Sequence, residues 1–276
     1  MKVLLIDNED ALVPVLQSKL QALGHELHHM PSRADAFNIL ENNQFDIVMV
    51  DPSPQTDLRQ AVITLRRLTG RYTYIFLLGR DLDQIAGWQT GANDILPKPL
   101  APDTILEKLD NAARLIGLVK QLGDEREDFP SAGGVIAKSA FNQLFLSGIE
   151  RADRYGEECY VLFFTLSNHD VISFQHGKSV TEFASAAMAA ELKRLRRQSD
   201  IMGQTGKYEY ALILQRPNTA KEPQEAARRF VESLSKLQGI TGAGQVDAEI
   251  TVRLVALPHG AVQAEHTVLV APRKVA

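Results

Sequence analysis

The chain has a single cysteine, no long hydrophobic run and almost no excess of one charge. Cys159 alone excludes an internal disulfide framework and favours a reducing compartment. No stretch approaches the roughly 18 apolar residues of a membrane helix, and the apolar run Val3–Ile6 is too short for a signal-peptide core. The net charge of −4 argues against a nucleic-acid-binding surface over the whole molecule. We therefore expect a cytoplasmic chain without a membrane span and without a nucleic-acid partner.

What remains is the composition of a globular protein with two domains. The 276 residues are 45% hydrophobic and 23% charged, and this length accommodates two ordinary domains. Residues 123–134 are first charged and then rich in glycine and proline, which is typical of a linker. We predict one domain over residues 1–122 and a second over 135–276.

Strand-like and helix-like patterns alternate through the first half. The runs of strand type are Val3–Ile6, Glu26–Met30, Phe45–Val50, Tyr74–Leu78 and Ile95–Leu96. Helical patterns follow the first two of them, with Ser32 as the expected N-cap of the second helix. This alternation predicts an α/β domain with a doubly wound parallel sheet, covered by helices on both faces.

Three charged side chains stand where these strands end. Asp7 follows the first strand, Asp51 the third and Lys98 the fifth. Sites in such sheets lie at the carboxyl ends of the strands. Carboxylates suit a hard cation such as Mg²⁺, and a lysine suits a phosphate. The alternative is that these are ordinary solvated charges at strand ends.

Order and spacing favour a functional interpretation. The segments Ile6-Asp7-Asn8-Glu9-Asp10, Asp46-Ile-Val-Met-Val-Asp51-Pro-Ser-Pro and Gly91-Ala-Asn-Asp-Ile-Leu-Pro-Lys98-Pro99 resemble the response-regulator receiver domain over residues 1 to about 120. The resemblance implies a five-stranded flavodoxin-like fold with Asp51 as phosphoacceptor and Lys98 as the phosphate-sensing lysine. It also implies a weak Mg²⁺ site at Asp7 and Asp51, a histidine kinase as partner, and a cis peptide bond before Pro99.

Three positions depart from the receiver pattern. The second residue of the acidic pair is Asn8, an amide that lacks the charge of a carboxylate. The switch hydroxyl at the end of the fourth strand is replaced by Gly79, and the switch aromatic of the fifth strand by Ile95. Two interpretations stay open: signalling through phosphorylation of Asp51, or a pseudo-receiver that serves only for docking or dimerisation.

An apolar stripe follows the last predicted strand. Ile105, Leu109, Ala112, Ile116 and Val119 repeat every 3.5 residues, as in a helix that packs on a partner. The stripe permits a homodimer, and it equally fits a helix that packs on its own sheet.

The second half is again of α/β type and resembles the GGDEF domain of diguanylate cyclases over roughly residues 135–260. Helical patterns at Ser139–Ala152, Val180–Leu195 and Pro223–Leu237 alternate with strand patterns at Tyr160–Phe164, Ala211–Leu214 and Ile250–Leu257, and Val268–Val270 is a further short strand. The resemblance implies a nucleotidyl-cyclase-like fold, with Gly206-Lys-Tyr-Glu-Tyr210 at the position of the signature hairpin. Taken alone, the segment Arg197–Tyr210 is a polar turn between a helix and a strand.

The catalytic residues that the resemblance requires are missing. Joining two GTP molecules needs Mg²⁺ held by carboxylates and backbone close to phosphate. The family's metal aspartate corresponds to Thr165 (or Ser167), and its guanine and ribose positions to Ser173 and Phe174. Lys207 and Tyr208 replace the second glycine and the acid of the signature, so that only Glu209 remains. We expect no cyclase activity.

The segment before the signature keeps the family's product-binding motif. Arg197-Gln-Ser-Asp200 is an RxxD sequence that ends six residues before Gly206. The resemblance implies that it binds cyclic di-GMP, with Arg228 from the next helix and Arg151 as further ligands. Arginine pairs with guanine O6 and N7, and aspartate accepts from guanine N1–H and N2–H₂. The alternatives are a protein-interaction scaffold that binds no nucleotide and a residual diguanylate cyclase.

Overall fold

The computed structural model describes residues 1–9, 13–53, 57–70, 72–80, 82, 90–129, 133–241 and 246–271. The chain divides into two compact units. The first unit comprises residues 1–121 together with 149–157 and 258–260, and the second comprises the rest of the described chain. Residues 130–132 of the predicted linker lie outside the described residues. No helix in the described ranges is long and apolar enough to cross a membrane.

The first unit contains a parallel sheet. Its strands are β1 (Lys2–Ile6), β2 (Glu26–Met30), β3 (Ile47–Val50), β4 (Tyr74–Gly79) and β5 (Asp94–Pro97). They lie in the order β2-β1-β3-β4-β5 with parallel pairing throughout. This confirms the predicted sheet, and it brings the carboxyl ends of β1, β3 and β5 to one edge.

Helices begin and end where local chemistry predicts. The helices are α1 (Val13–Ala22), α2 (Arg33–Asn42), α3 (Leu58–Thr69) and α4 (Pro102–Leu122). Ser32 caps α2, since its hydroxyl oxygen accepts the Asp35 N–H. The Lys98–Pro99 peptide bond is cis, as expected. Four stripe residues of α4, Ile105, Leu109, Ala112 and Ile116, are buried in the single chain, so the stripe is covered without a second copy.

The second unit contains an antiparallel sheet. Its strands are β6 (Cys159–Leu166), β7 (Ile201–Gly206), β8 (Glu209–Gln215), β9 (Ala248–Leu257) and β10 (Val262–Val270), in the order β10-β9-β6-β8-β7. Its helices are α5 (Lys138–Tyr155), whose last turns belong to the first unit, α6 (His169–His176), α7 (Lys178–Leu195) and α8 (Glu222–Leu234). Apolar residues of α7 and α8 share a core with those of β6. This packing places α8 beside the segment that follows α7.

Two sequence-based expectations for this unit were wrong. The segment Arg197–Tyr210 is not a turn, because Ile201–Gly206 forms strand β7 and pairs with β8 in a hairpin. Met202 and Thr205 are buried although most of the segment is polar, and the pairing with β8 shifts its register between Gln204 and Gly206, so a simple alternation of apolar and polar residues is absent. The last strand begins at Val262 rather than Val268, because its polar residues lie on a solvent-facing edge strand paired only with β9.

Candidate functional sites

The first site is a lysine held between two carboxylates at the edge of the parallel sheet. Lys98 Nζ lies 2.6 Å from Asp51 Oδ2 and 2.8 Å from Asp7 Oδ2. Asp7 directly follows β1, Asp51 follows β3 and Lys98 follows β5, so the parallel topology brings together three side chains that are far apart in sequence. The structure therefore forms the predicted cluster.

Burial and charge pairing set the protonation of this cluster. Asp7 and Lys98 are buried, and a buried charge is tolerated only when it is paired. Burial raises the pKa of Asp51, but hydrogen bonds from Lys98 and Ser53 outweigh it and hold the pKa below its ordinary value. Burial lowers the pKa of Lys98, but the bonds to Asp51 and Asp7 outweigh it and raise the pKa. Asp51 and Lys98 are thus both charged at neutral pH.

The oxygen atoms of this cluster fit a hard cation. Asp7 Oδ2 is buried and has only an ionic contact with Lys98, without a well-aligned hydrogen bond in the described part of the chain. Asp7 Oδ1 accepts the Glu9 N–H, and Asp51 Oδ1 accepts the Ser53 N–H. Asn8 is exposed. The carboxylates of Asp7 and Asp51 are therefore the groups that would hold Mg²⁺. The ammonium group of Lys98 would then have to move away from at least one of them.

Apolar side chains occupy the space at the two positions where the receiver pattern has its switch residues. Gly79 ends β4, and a Cβ atom there would lie 2.9 Å from Leu82 Cδ1. Ile95 is buried in β5. Leu82 therefore occupies the space that a switch hydroxyl would need, and no aromatic ring is present at position 95 to change its orientation.

The second site is the hairpin of β7 and β8, where the one remaining signature acid is bound by hydroxyl groups. The Thr165 hydroxyl donates to Glu209 Oε2 at 3.0 Å, and the Thr205 hydroxyl donates to Glu209 Oε1 at 2.8 Å. Thr165 and Glu209 face each other across the β6–β8 ladder. In the described ranges no group of three or more histidine, cysteine, aspartate or glutamate residues is placed to hold a metal.

The positions that the resemblance assigns to guanine, ribose and the signature turn carry no acidic side chain among Ser173, Phe174, Lys207 and Tyr208. Phe174 on α6 is 92% exposed, and Ser173 precedes it on the same helix. The Tyr208 ring packs against His169 with 4.8 Å between the ring centroids, and Lys207 Nζ lies 5.2 Å from the Tyr208 ring. A lysine and a tyrosine thus occupy the turn where the family has a glycine and a carboxylate.

The third site follows α7, where Asp200 organises the local backbone. Asp200 is buried, and its Oδ2 accepts the Arg197 N–H at 2.9 Å. The Arg196 guanidinium donates to the Asp200 carbonyl oxygen at 2.8 Å. Burial raises the pKa of the Asp200 carboxyl, and the nearby arginines oppose that shift only partly.

A cavity of 290 Å³ opens beside this turn, and Arg197, Asp200 and Arg229 are among the residues that line it. The Arg197 guanidinium forms an ion pair with Glu222, another lining residue. Arg229 Nε is buried without a hydrogen-bond partner in the described part of the chain. Two arginines and a carboxylate therefore converge on one cavity, and one of the arginines has unused hydrogen-bonding capacity.

Arg228, selected from its distance to Gly206, does not line this cavity. Its side chain is 72% exposed and lies 3.8 Å from Glu232 on the same helix. Helical geometry explains the difference: Glu222, Ala226 and Arg229 are spaced by four and three residues and therefore share a face of α8. The spacing of three residues from Ala226, rather than the distance counted from Gly206, separates Arg229 from Arg228.

Arg151, the other expected ligand, lies in α5, in the part of that helix that belongs to the first unit. It forms an ion pair of 4.0 Å with Glu157, and it is not among the residues that line the cavity.

Comparison with known proteins defines the class of each half. Residues 131–267 match the family model described as diguanylate cyclase, GGDEF domain. The response regulator MprA of Mycobacterium sp. (strain KMS) is 28% identical over 134 residues, 47% of this chain and 56% of that protein. The alkaline phosphatase synthesis transcriptional regulatory protein PhoP of Bacillus subtilis (strain 168) is 26% identical over 104 residues, 37% of this chain and 43% of that protein. The chain thus spans about half the length of the curated relatives that it matches.

Two solved structures resemble separate parts of the chain. The GGDEF domain of PA1120 (TpbB or YfiN) from Pseudomonas aeruginosa (PAO1) is 18% identical with a TM-score of 0.39, covering 44% of this chain and 70% of that one. The chemotaxis response regulator CheY4 of Vibrio cholerae is 22% identical with a TM-score of 0.36, covering 40% and 97%. With the family match and the curated relatives, the chain combines a response-regulator receiver domain with a GGDEF domain.

Proposed function

We propose that this chain is a cytoplasmic signalling protein whose GGDEF domain is catalytically inactive and serves as a receptor for cyclic di-GMP. The ligand site is the cavity lined by Arg197, Asp200 and Arg229. The receiver domain, in this proposal, connects the protein to a histidine kinase and to a protein partner. The convergence of two arginines and a buried aspartate on one cavity is the observation that carries the proposal.

The chemistry around Glu209 supports the proposed loss of cyclase activity. Two-metal phosphoryl chemistry needs several carboxylates around each Mg²⁺. Here both oxygens of Glu209 accept hydrogen bonds from threonine hydroxyls, and Thr165 stands where a second carboxylate is needed. One carboxylate with hydroxyl neighbours does not hold two divalent cations.

The cavity provides the groups that recognise guanine. An arginine fork donates to O6 and N7, while a carboxylate accepts from N1–H and N2–H₂. The cavity has a volume of 290 Å³, just below the range of about 300–1,000 Å³ typical of ligand pockets. We therefore expect one guanine base to enter the cavity while the rest of the dinucleotide lies outside it. Arg197 must leave Glu222 to contact the ligand, so binding replaces one ion pair by another.

Calorimetric titration with cyclic di-GMP tests the proposal on the full chain. Wild type should release or absorb heat at one saturable site, and Arg197→Ala and Arg229→Ala should each weaken binding at least about tenfold, or about 1.4 kcal/mol. Arg228→Ala is the matched control, because this neighbouring arginine is exposed and does not line the cavity. A silent titration with wild type, or equal affinity in all three variants, contradicts the proposal.

A second candidate is a scaffold that binds no nucleotide. It is favoured by the fact that Arg197 already pairs with Glu222, while Asp200 already closes the turn after α7. In that case titration is silent for wild type and Arg197→Ala alike, and the chain still captures a protein partner. Turnover of GTP with Mg²⁺ would instead support the third alternative, residual cyclase activity.

For the receiver domain, we propose phosphorylation at Asp51 with Mg²⁺ held by Asp7 and Asp51. The carboxylate lies at the sheet edge next to Lys98, a point charge suited to a transferred phosphoryl group. Acetyl phosphate with Mg²⁺ should add one phosphoryl group to wild type and none to Asp51→Asn, as measured by intact mass. An unmodified wild-type mass would support the pseudo-receiver interpretation.

A further inference from the structure

The first unit contains a cavity of 520 Å³ that no sequence motif predicted. It is lined by residues of α3, by Thr90 and Gly91 before β5, and by residues 150–155 at the end of α5. These segments all belong to the first compact unit. Its volume falls within the range of about 300–1,000 Å³ typical of small-molecule sites.

A buried carboxyl group lines this cavity with one oxygen unsatisfied. Asp153 is 6% exposed; its Oδ2 lies 3.3 Å from Arg66 Nη2, and its Oδ1 has no hydrogen-bond partner in the described ranges. Arg66 does not compensate for this, because it also donates to the carbonyl oxygens of Thr73 and Gly91 and to the side chain of Asn93. Leaving a buried acceptor unpaired is costly, so the site favours a ligand with a hydrogen-bond donor.

The remaining charges favour an anion. Arg59, Arg66, Arg67 and Arg154 line the cavity against two acids, Glu150 and Asp153, which leaves an excess of two positive charges. Arg154 pairs with Glu150 at 2.5 Å, and Arg66 with Asp153. In the part of the chain that the structure describes, Arg59 and Arg67 have no ion-pair partner. They lie eight residues apart on α3, which places them on one face of the helix.

An aromatic ring completes the set of groups. Tyr155 also lines the cavity and is 67% exposed, and its ring contacts no other ring or cation among the described residues. Exposed aromatic side chains can stack on nucleobases, and an arginine can bind a phosphate through two parallel hydrogen bonds. The cavity thus combines an acceptor, a ring and two unpaired cations.

We propose that this cavity binds a purine nucleotide. The phosphate lies on Arg59 and Arg67, and the base lies against Tyr155. The exocyclic amino group of the base donates to Asp153 Oδ1. This site lies apart in sequence from Arg197 and Asp200, and it does not depend on cyclic di-GMP binding there.

Calorimetric titration of the full chain with GMP, AMP, guanosine and inorganic phosphate tests the proposal. GMP and AMP should bind, while guanosine and inorganic phosphate, each lacking one half of the ligand, should bind at least tenfold more weakly. Silence with both nucleotides overturns the proposal, as does phosphate that binds as tightly as GMP.

Variants locate the site. Arg59→Ala and Arg67→Ala should each weaken GMP binding at least tenfold, whereas Arg126→Ala, an exposed arginine of the second unit, should leave it unchanged. Asp153→Asn should weaken the binding of GMP and leave the binding of inorganic phosphate unaffected. If this variant does not fold, Arg59→Ala and Arg67→Ala still test whether the nucleotide binds in this cavity. GMP binding that is lost in Arg197→Ala but retained in Arg59→Ala would place the nucleotide in the second unit and overturn the proposal.

Discussion

Carboxylates at the sheet edges of the two units are stabilised in different ways. In the first unit, buried Asp7 and half-buried Asp51 share the ammonium group of Lys98. In the second, Glu209 accepts hydrogen bonds from Thr165 and Thr205. The two acids of the first cluster can exchange the ammonium group of Lys98 for a metal ion. Among the described residues, Glu209 has no second carboxylate beside it with which to share a metal ion. From this difference we propose Mg²⁺ binding at the first edge and expect none at the second.

The largest expected effect comes from removing the cation of the first cluster. Lys98→Met removes the ammonium group that lies 2.8 Å from buried Asp7 and 2.6 Å from half-buried Asp51, so neither carboxylate keeps this partner. We expect a loss of about 3–5 kcal/mol in the free energy of unfolding, measured by chemical denaturation. Lys120→Met is the control, since the Lys120 side chain is 60% exposed and Asp46 keeps the hydrogen bond from the Lys2 N–H, so this pair should be worth less than about 1 kcal/mol. Equal losses in both variants would contradict this account.

Acidification should also lower the free energy of unfolding of wild type through this cluster, but by less than Lys98→Met does. The pKa of Asp51 in the folded state lies below its ordinary value of 3.8, so its stabilising contribution is fully present above about pH 4. That contribution is lost as the pH falls through the lower, folded-state pKa. The free energy of unfolding, measured from pH 7 downward, should fall less steeply in Asp51→Asn. Parallel curves for both proteins would show that Asp51 is not stabilised by folding.

A second carboxylate should convert the hydroxyl cluster into a cation site. Thr165→Asp places an acid close to Glu209 and removes a hydrogen-bond donor, so we expect a loss of about 1–3 kcal/mol without divalent cation. Mg²⁺ at ten times its dissociation constant should restore about 1.4 kcal/mol relative to wild type at the same concentration. Thermal unfolding with and without Mg²⁺ measures this. If the thermal stability of Thr165→Asp does not change with Mg²⁺, the surrounding geometry and not the missing acid excludes the metal.

The smallest expected effect concerns the closed switch position. Gly79→Ser restores the missing hydroxyl, and its Cβ would lie 2.9 Å from the flexible end of Leu82. We expect a cost of about 1 kcal/mol, because Leu82 can move aside. Gly79→Ala has the same Cβ without the hydroxyl, so the difference in unfolding free energy between the two variants isolates the hydroxyl. A loss several times larger in both would show that Leu82 is held rigidly.

Much of the fold was predictable because hydrophobic periodicity reports on burial. The inner parallel strands β1, β3 and β4 are nearly continuous apolar runs, since both faces of such a sheet are covered. β7 and the first half of β10 were missed because these outer strands expose one face and carry polar residues there. In the same way, Arg229 was passed over for Arg228, since a distance counted along the chain ignores which face of a helix a residue occupies.

Sequence alone determined the order of most strands and helices, the residues at the strand ends and the RxxD motif, because these follow from local pattern and spacing. Tertiary structure decided which charges meet. Lys98 pairs with two carboxylates, Glu209 is bound by two threonines, Arg229 enters the cavity beside Asp200, and Asp153 keeps one oxygen unpaired. Charge pairing and burial depend on residues far apart in the chain, and only the packing of sheets and helices brings them together.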